Sequence, residues 1–184
     1  MGDSSPPAIE TAWLQAEADA HREALAAFIA TVEGLPLDRW NAPQAAGKWS
    51  PAEIAEHLRM TYATVMAELA GGSGFRLRTK PWLRWFLRLT YLPRILRSGR
   101  FPKGIQATRE VRPGAGPYDR DQLLSTLRRD GERFLDMVAA APRGSTFTHP
   151  FLGSLPLRDG MRFASHHVRH HHAQVVAAGD GSGA

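Results

Sequence analysis

The sequence predicts an all-α protein: a four-helix bundle with a basic, aromatic insertion between its second and third long helices. Three observations carry that prediction. Four long segments repeat apolar residues at helical spacing. Each is bounded by helix start or stop signals. No segment shows the sustained two-residue alternation of a half-buried strand, so helices must cover one another. At 184 residues the chain has the size of one domain. Residues 1–184 therefore read as a single helical domain, with flexible ends at 1–7 and 179–184 and an insertion or lid at 71–118.

The first helix is expected from Ala8 to about Val32, with Leu14, Ala18, Leu25 and Phe28 close to one face and His21 on its surface. Gly34 and Pro36 stop it, and Asp38–Lys48 reads as a loop. Ser50, Pro51 and Glu53 form a strong start signal, a capping box with proline at the first helical position. The second helix then runs to about Leu69, and Ile54, His57, Leu58, Thr61, Val65 and Leu69 make its buried stripe. A third helix follows Asp119 to about Ala140, with Leu123, Leu124, Leu127, Phe134, Leu135 and Val138 on its apolar side. A linker, STFTHPFLGSLP, leads to a fourth from about Leu157 to Ala178.

Charge is unevenly placed. Between Gly71 and Tyr118 there are eleven Lys and Arg and one acid, Glu110, out of 23 basic and 18 acidic residues in the chain. The positive balance thus belongs to the insertion, and the remainder is mildly acidic. Trp82, Trp85, Phe86 and Tyr91 interleave there with Arg84, Arg88, Arg94 and Arg97. The plain expectation is an amphipathic lid with its arginines in water. Contact with nucleic acid or an anionic membrane through residues 76–112 is the alternative. The chain has no cysteine, which excludes disulfides, thiolate metal sites and a cysteine nucleophile of its own. Its N-terminus has no basic and apolar signal pattern, so a cytoplasmic location is expected. Neither a phosphate-binding glycine loop nor a G-x-S-x-G elbow is present.

Five histidines fall within the seven residues 166–172. On a helical wheel His167 and His171 lie about 40° apart on the inward stripe with Gln174, whereas His170 sits on its edge, roughly −60° from His167. Two imidazoles one turn apart reach one metal from the same side, and His57 can supply a third nitrogen from across the bundle. Three neutral imidazoles suit Zn, Ni, Fe or Cu and leave a position open. The same run also fits an adventitious metal-binding surface. Gln174 is placed to hydrogen-bond a ligand or a metal-bound water, with a polar core contact as the equal alternative. Gly160 is placed to let another backbone approach, Asp159 to favour the helix N-terminus, Trp49 to anchor its loop and His149 to order the last linker.

Two motifs add a resemblance. Gly47-Lys48-Trp49-Ser50, with Glu53-Ile54 and His57-Leu58, resembles the "G-x-W-S…EI…HL" signature of the DinB/YfiT-like metal-binding superfamily. His149-Pro150, Gly153 and Leu155, followed by His167, His171 and Gln174, are similar to its "HP-x-x-G-x-L…H-x-x-x-H-x-x-Q" ending, especially in the DinB_2 branch. The resemblance covers nearly the whole chain and matches least around 75–100. It implies an up-down-down-up four-helix bundle, often a homodimer. A divalent metal, zinc or nickel first and Fe, Mn or Cu as alternatives, would be held by His57, His167 and His171, with His166 and His170 as the competing pair. It also implies a small-molecule substrate and a metal-dependent enzyme, either a low-molecular-weight thiol S-transferase or a hydrolase. A non-enzymatic binding or stress-response module using the basic insertion is the other reading. No catalytic side chain is assigned.

Overall fold

The computed structural model describes residues 8–102 and 104–179. In chain order the elements are α1 (Ala8–Glu33), α2 (Leu37–Trp40), α3 (Pro51–Leu69), α4 (Pro81–Thr90), α5 (Leu92–Ser98), a 3-10 turn (Arg109–Val111), α6 (Arg120–Ala140), β1 (Thr146–His149), β2 (Gly153–Pro156) and α7 (Leu157–Gly179). The ends 1–7 and 180–184, expected to be flexible, lie outside the described residues. None of the described helices is long and apolar enough to cross a membrane.

Helices α1, α3, α6 and α7 form the bundle, α1 packing chiefly on α7 and α3 chiefly on α6. Side-chain pairs give their directions. Glu17 meets Arg162, His21 meets Ser165 and Thr31 meets His172, so α1 and α7 climb together. Arg22 pairs with Glu132 while Glu33 pairs with Arg128, so α6 runs against α1. Glu68, near the end of α3, binds Thr148 just ahead of α7, whereas His57 lies against His167, so α3 also descends. The order is up, down, down, up. Phe28, Val32, Ile54, Leu58, Leu124, Leu127, Phe134, Met161 and Val168 fill the centre, each essentially withdrawn from water. Such burial is worth roughly 1.5–3 kcal/mol per large apolar side chain.

The capping box forms as the sequence predicts. The Ser50 hydroxyl accepts from the Glu53 amide at 3.1 Å, and the Glu53 carboxylate accepts from the Ser50 amide at 2.7 Å. This fixes the first turn of α3, seven residues before His57. Asp119 likewise caps α6, accepting from the Gln122 amide at 2.8 Å.

Four expectations about the bundle and its linkers need correction. The linker before α7 is an antiparallel hairpin, Phe147 opposite Leu155 and Thr148 opposite Ser154. Its four-residue strands are too short to announce a period. Part of the expected Asp38–Lys48 loop is helical, because α2 buries Trp40, whose indole N–H donates to Tyr118 O at 2.9 Å. His21 is wholly buried rather than on a surface. Gly160 makes room for the Phe147 ring rather than for another backbone: a Cβ there would overlap that ring.

The insertion forms α4 and α5, separated at Tyr91, with Pro93 in the first turn of α5. On α4 the polarity is the reverse of the lid expected, whereas Arg94 and Arg97 of α5 stand in water as expected. Arg84 and Arg88 turn inward, donating to the backbone oxygens of Thr79 and of Leu152 and Ser154. The aromatic side faces solvent. Beneath, Leu92, Ile95, Leu152, Leu155 and Phe163 form a second small core joining α5, the hairpin and α7.

Candidate metal centre

Among the described residues, His57, His167 and His171 are the one group of three or more ligand-type side chains whose donor atoms gather, all within 4.8 Å of one another. His57 projects from the buried stripe of α3, and the other two from adjacent turns of α7. His167 Nε2 lies 3.3 Å from His57 Nε2 and 3.0 Å from His171 Nε2. The sequence-derived trio therefore converges. The competing pair does not: His166 Nε2 binds Leu96 O at 3.2 Å, and His170 Nε2 binds the Gln174 amide at 3.1 Å.

The opposite ring nitrogens explain the orientation. His57 Nδ1–H donates to Val111 O at 2.7 Å, the carbonyl that ends the 3-10 turn. His171 Nδ1–H donates to Gln174 Oε1 at 2.8 Å. With their protons on Nδ1, both rings present bare Nε2 lone pairs to the cluster. His167 Nε2 can offer one proton at most and faces two such lone pairs. A cation at the centre satisfies all three nitrogens at once. Metal–nitrogen bonds of about 2.0–2.1 Å at tetrahedral angles place ligand nitrogens roughly 3.3 Å apart, close to the 3.3 and 3.0 Å that separate His167 Nε2 from the other two.

Electrostatics point the same way. Burial lowers the His57 pKa, offset in part by the Val111 hydrogen bond. Burial first, and then the neighbouring imidazoles, press His167 and His171 well below the ordinary histidine value. All three are neutral near pH 7, the form that coordinates metal.

Aromatic rings surround the cluster. Trp49 packs on His57 at 5.0 Å between ring centres. Phe101 lies 6.0 Å from His167 and 5.0 Å from His170. Phe163 lies 6.3 Å from His167. His149 stacks edge-on against Phe163 at 4.7 Å, and its Nδ1 accepts the Phe151 and Leu152 amides. Burial lowers its pKa to about 4, and it lies close enough to act electrostatically on His167.

Gln174 and Trp49 act close to where the sequence placed them, and His149 does order its turn. The Val111 carbonyl and Phe101 were missed. A backbone oxygen carries no sequence signal, and Phe101 reaches the site only because α5 folds back onto α7.

An up-down-down-up bundle with three imidazoles between its second and last long helices is the arrangement of the DinB/YfiT type. The family model described as the DinB superfamily matches residues 20–175, and the chain belongs to that family. Among solved structures it is similar to YfiT from Bacillus subtilis, described as a probable metal-dependent hydrolase with an unusual four-helix bundle topology. That match has a TM-score of 0.59 and 14% identity, and covers 100% of this chain and 93% of that one. It is also similar to TT2238, a four-helix bundle protein, with a TM-score of 0.52 and 23% identity over 90% of this chain and 98% of that one. These likenesses bear on the fold. Among curated proteins none matches the chain.

Proposed function

We propose that the protein is a metal-dependent enzyme in which His57, His167 and His171 hold a divalent ion, zinc or nickel by preference, and that it transfers a low-molecular-weight thiol to an electrophile. The observation that carries the metal is the approach of His167 Nε2 to the bare Nε2 atoms of His57 and His171, at 3.3 and 3.0 Å. A divalent ion held by these three imidazoles would supply the Lewis acidity that makes an entering thiol or water acidic near neutral pH.

The chain's own groups do the rest. Val111 O and Gln174 Oε1 hold the rings of His57 and His171 in the ligating tautomer. Burial keeps the imidazoles neutral, and Trp49, Phe101 and Phe163 offer apolar walls to an organic substrate. The preference for a thiol over water rests on acid–base chemistry. Among the described residues, the charged groups that act on His167 and His171 are other histidines. A thiol is intrinsically far more acidic than water, so on the same ion it would give up its proton to solvent more completely and attack without a positioned base. The sulfur comes with the substrate, because the chain has no cysteine. Hydrolysis is the second reading, supported by the likeness in fold to YfiT.

Cobalt-substituted protein separates the two. Titration with glutathione, mycothiol or bacillithiol should raise a sulfur-to-cobalt charge-transfer band for one of them, and His57→Ala should abolish it. If no thiol perturbs the cobalt spectrum while ester or amide substrates are cleaved, the thiol reading fails and hydrolysis replaces it.

A further inference from the structure

On α4 the side chains that a folded protein normally hides are outside. Trp82, Trp85, Phe86 and Leu89 are 68%, 67%, 49% and 58% exposed. They fall at i, i+3, i+4 and i+7, so they make one continuous apolar stripe along the helix. The opposite side, where Arg84 and Arg88 bind backbone oxygens of the hairpin and of Thr79, anchors α4 to the protein. Scattered exposed apolar residues need no explanation, but a contiguous stripe with two tryptophans marks a contact surface.

The charges around the stripe select its occupant. Lys80 stands at the N-terminal end of α4, and Arg94, Arg97 and Arg100 follow its C-terminal end, all exposed. The one acid between residues 71 and 118, Glu110, is already paired with Arg78 at 2.8 Å. A second copy docking through this face would set the cationic margin against itself, since a two-fold interface apposes like surfaces. A convex helix carrying Leu and Phe beside Trp offers no groove for a nucleic-acid strand to follow, whereas base-stacking proteins line such a groove. It does fit the boundary between headgroups and acyl chains, where indoles concentrate and basic flanks meet anionic lipid.

We propose that α4 and the start of α5 form a peripheral docking surface for an anionic phospholipid bilayer, with Trp82, Trp85, Phe86 and Leu89 entering the interface and Lys80, Arg94 and Arg97 on its headgroups. This contact is independent of the metal. The helix lies parallel to the membrane and does not span it.

The test is flotation of the full chain with vesicles of phosphatidylcholine alone and with added phosphatidylglycerol, with tryptophan emission recorded alongside. The intact protein should float with the phosphatidylglycerol vesicles only, with a blue shift, and release as salt rises. Trp82→Ser/Trp85→Ser should weaken binding at least a hundredfold, while Arg94→Gln and Arg97→Gln should each weaken it about fivefold. Metal content and thermal unfolding should not change in any variant. Failure of the intact protein to bind anionic vesicles overturns the proposal, as does binding that the tryptophan and arginine variants leave intact. A dimer in light scattering that Trp82→Ser/Trp85→Ser converts to monomer, without vesicle binding, assigns the face to a second copy instead. Retention of nucleic acid in place of vesicles assigns it to that polyanion.

Discussion

His21 and His171 are both imidazoles withdrawn from water, and burial first of all keeps each neutral, beside a different set of hydrogen-bond partners. Ser165 donates to Met161 O at 3.1 Å, so its oxygen accepts from His21 Nδ1–H at 3.4 Å. The Tyr62 hydroxyl then donates to His21 Nε2 at 2.8 Å. Burial, with Arg169 and Arg22 adding to it, lowers the His21 pKa from 6.5 to about 4. Between those values the unfolded chain binds the proton and the folded chain does not. This contribution to stability is therefore complete above pH 6.5 and is lost as pH falls toward 4, by roughly 3 kcal/mol. His149, also lowered to about 4, acts in the same direction. Urea midpoints of metal-free protein at about pH 7 and about pH 5 should fall more for the parent than for His21→Gln. Equal falls would contradict the assignment. Helical spacing does carry this burial. His21 stands three residues after Ala18 and four before Leu25, on the stripe of Leu14, Ala18, Leu25 and Phe28. A surface reading weighs its polarity over that register. His57, His167 and His171 were legible because helical spacing alone sets which of them face inward.

Long helices announce themselves through period and caps, and α3, α6 and α7 stand close to where the sequence puts them. The hairpin and α2 do not, since eight paired residues and one turn of helix hold no periodic signal. For α4 the sequence conveys amphipathicity but not direction: which side turns inward depends on the Thr79 carbonyl for Arg84 and on carbonyls of β2 and its turn for Arg88. The hairpin also explains a glycine in the first turn of α7. Phe147, 5% exposed, lays its ring where a Cβ of residue 160 would stand. Alanine normally gains about 1 kcal/mol over glycine in a helix. Here overpacking should cost roughly 1–3 kcal/mol, so Gly160→Ala should lower the melting temperature. In a Phe147→Leu background the same change should be harmless or stabilising. A stabilised Gly160→Ala single variant would show that the ring moves freely aside.

For the whole molecule, the order up, down, down, up sets α3 against α7 in opposite directions and brings His57 level with the His167–His171 turn. The capping box that starts α3, the turn that ends at Val111 and the Gln174 contact then fix each ring. The family motifs made this arrangement readable in outline. The supporting groups were less so, because Val111 acts through its backbone and Phe101 through a fold-back of the insertion. The most direct measurement is the metal content and cobalt absorption spectrum of untagged protein and four single variants. The parent should hold one equivalent of a divalent ion in a low-symmetry, four- or five-coordinate site. His57→Ala and His171→Ala should lose it, while His166→Ala and His170→Ala should keep the same coordination spectrum. Full metal retention in His57→Ala and His171→Ala, with loss in the other two, would contradict the three-imidazole centre.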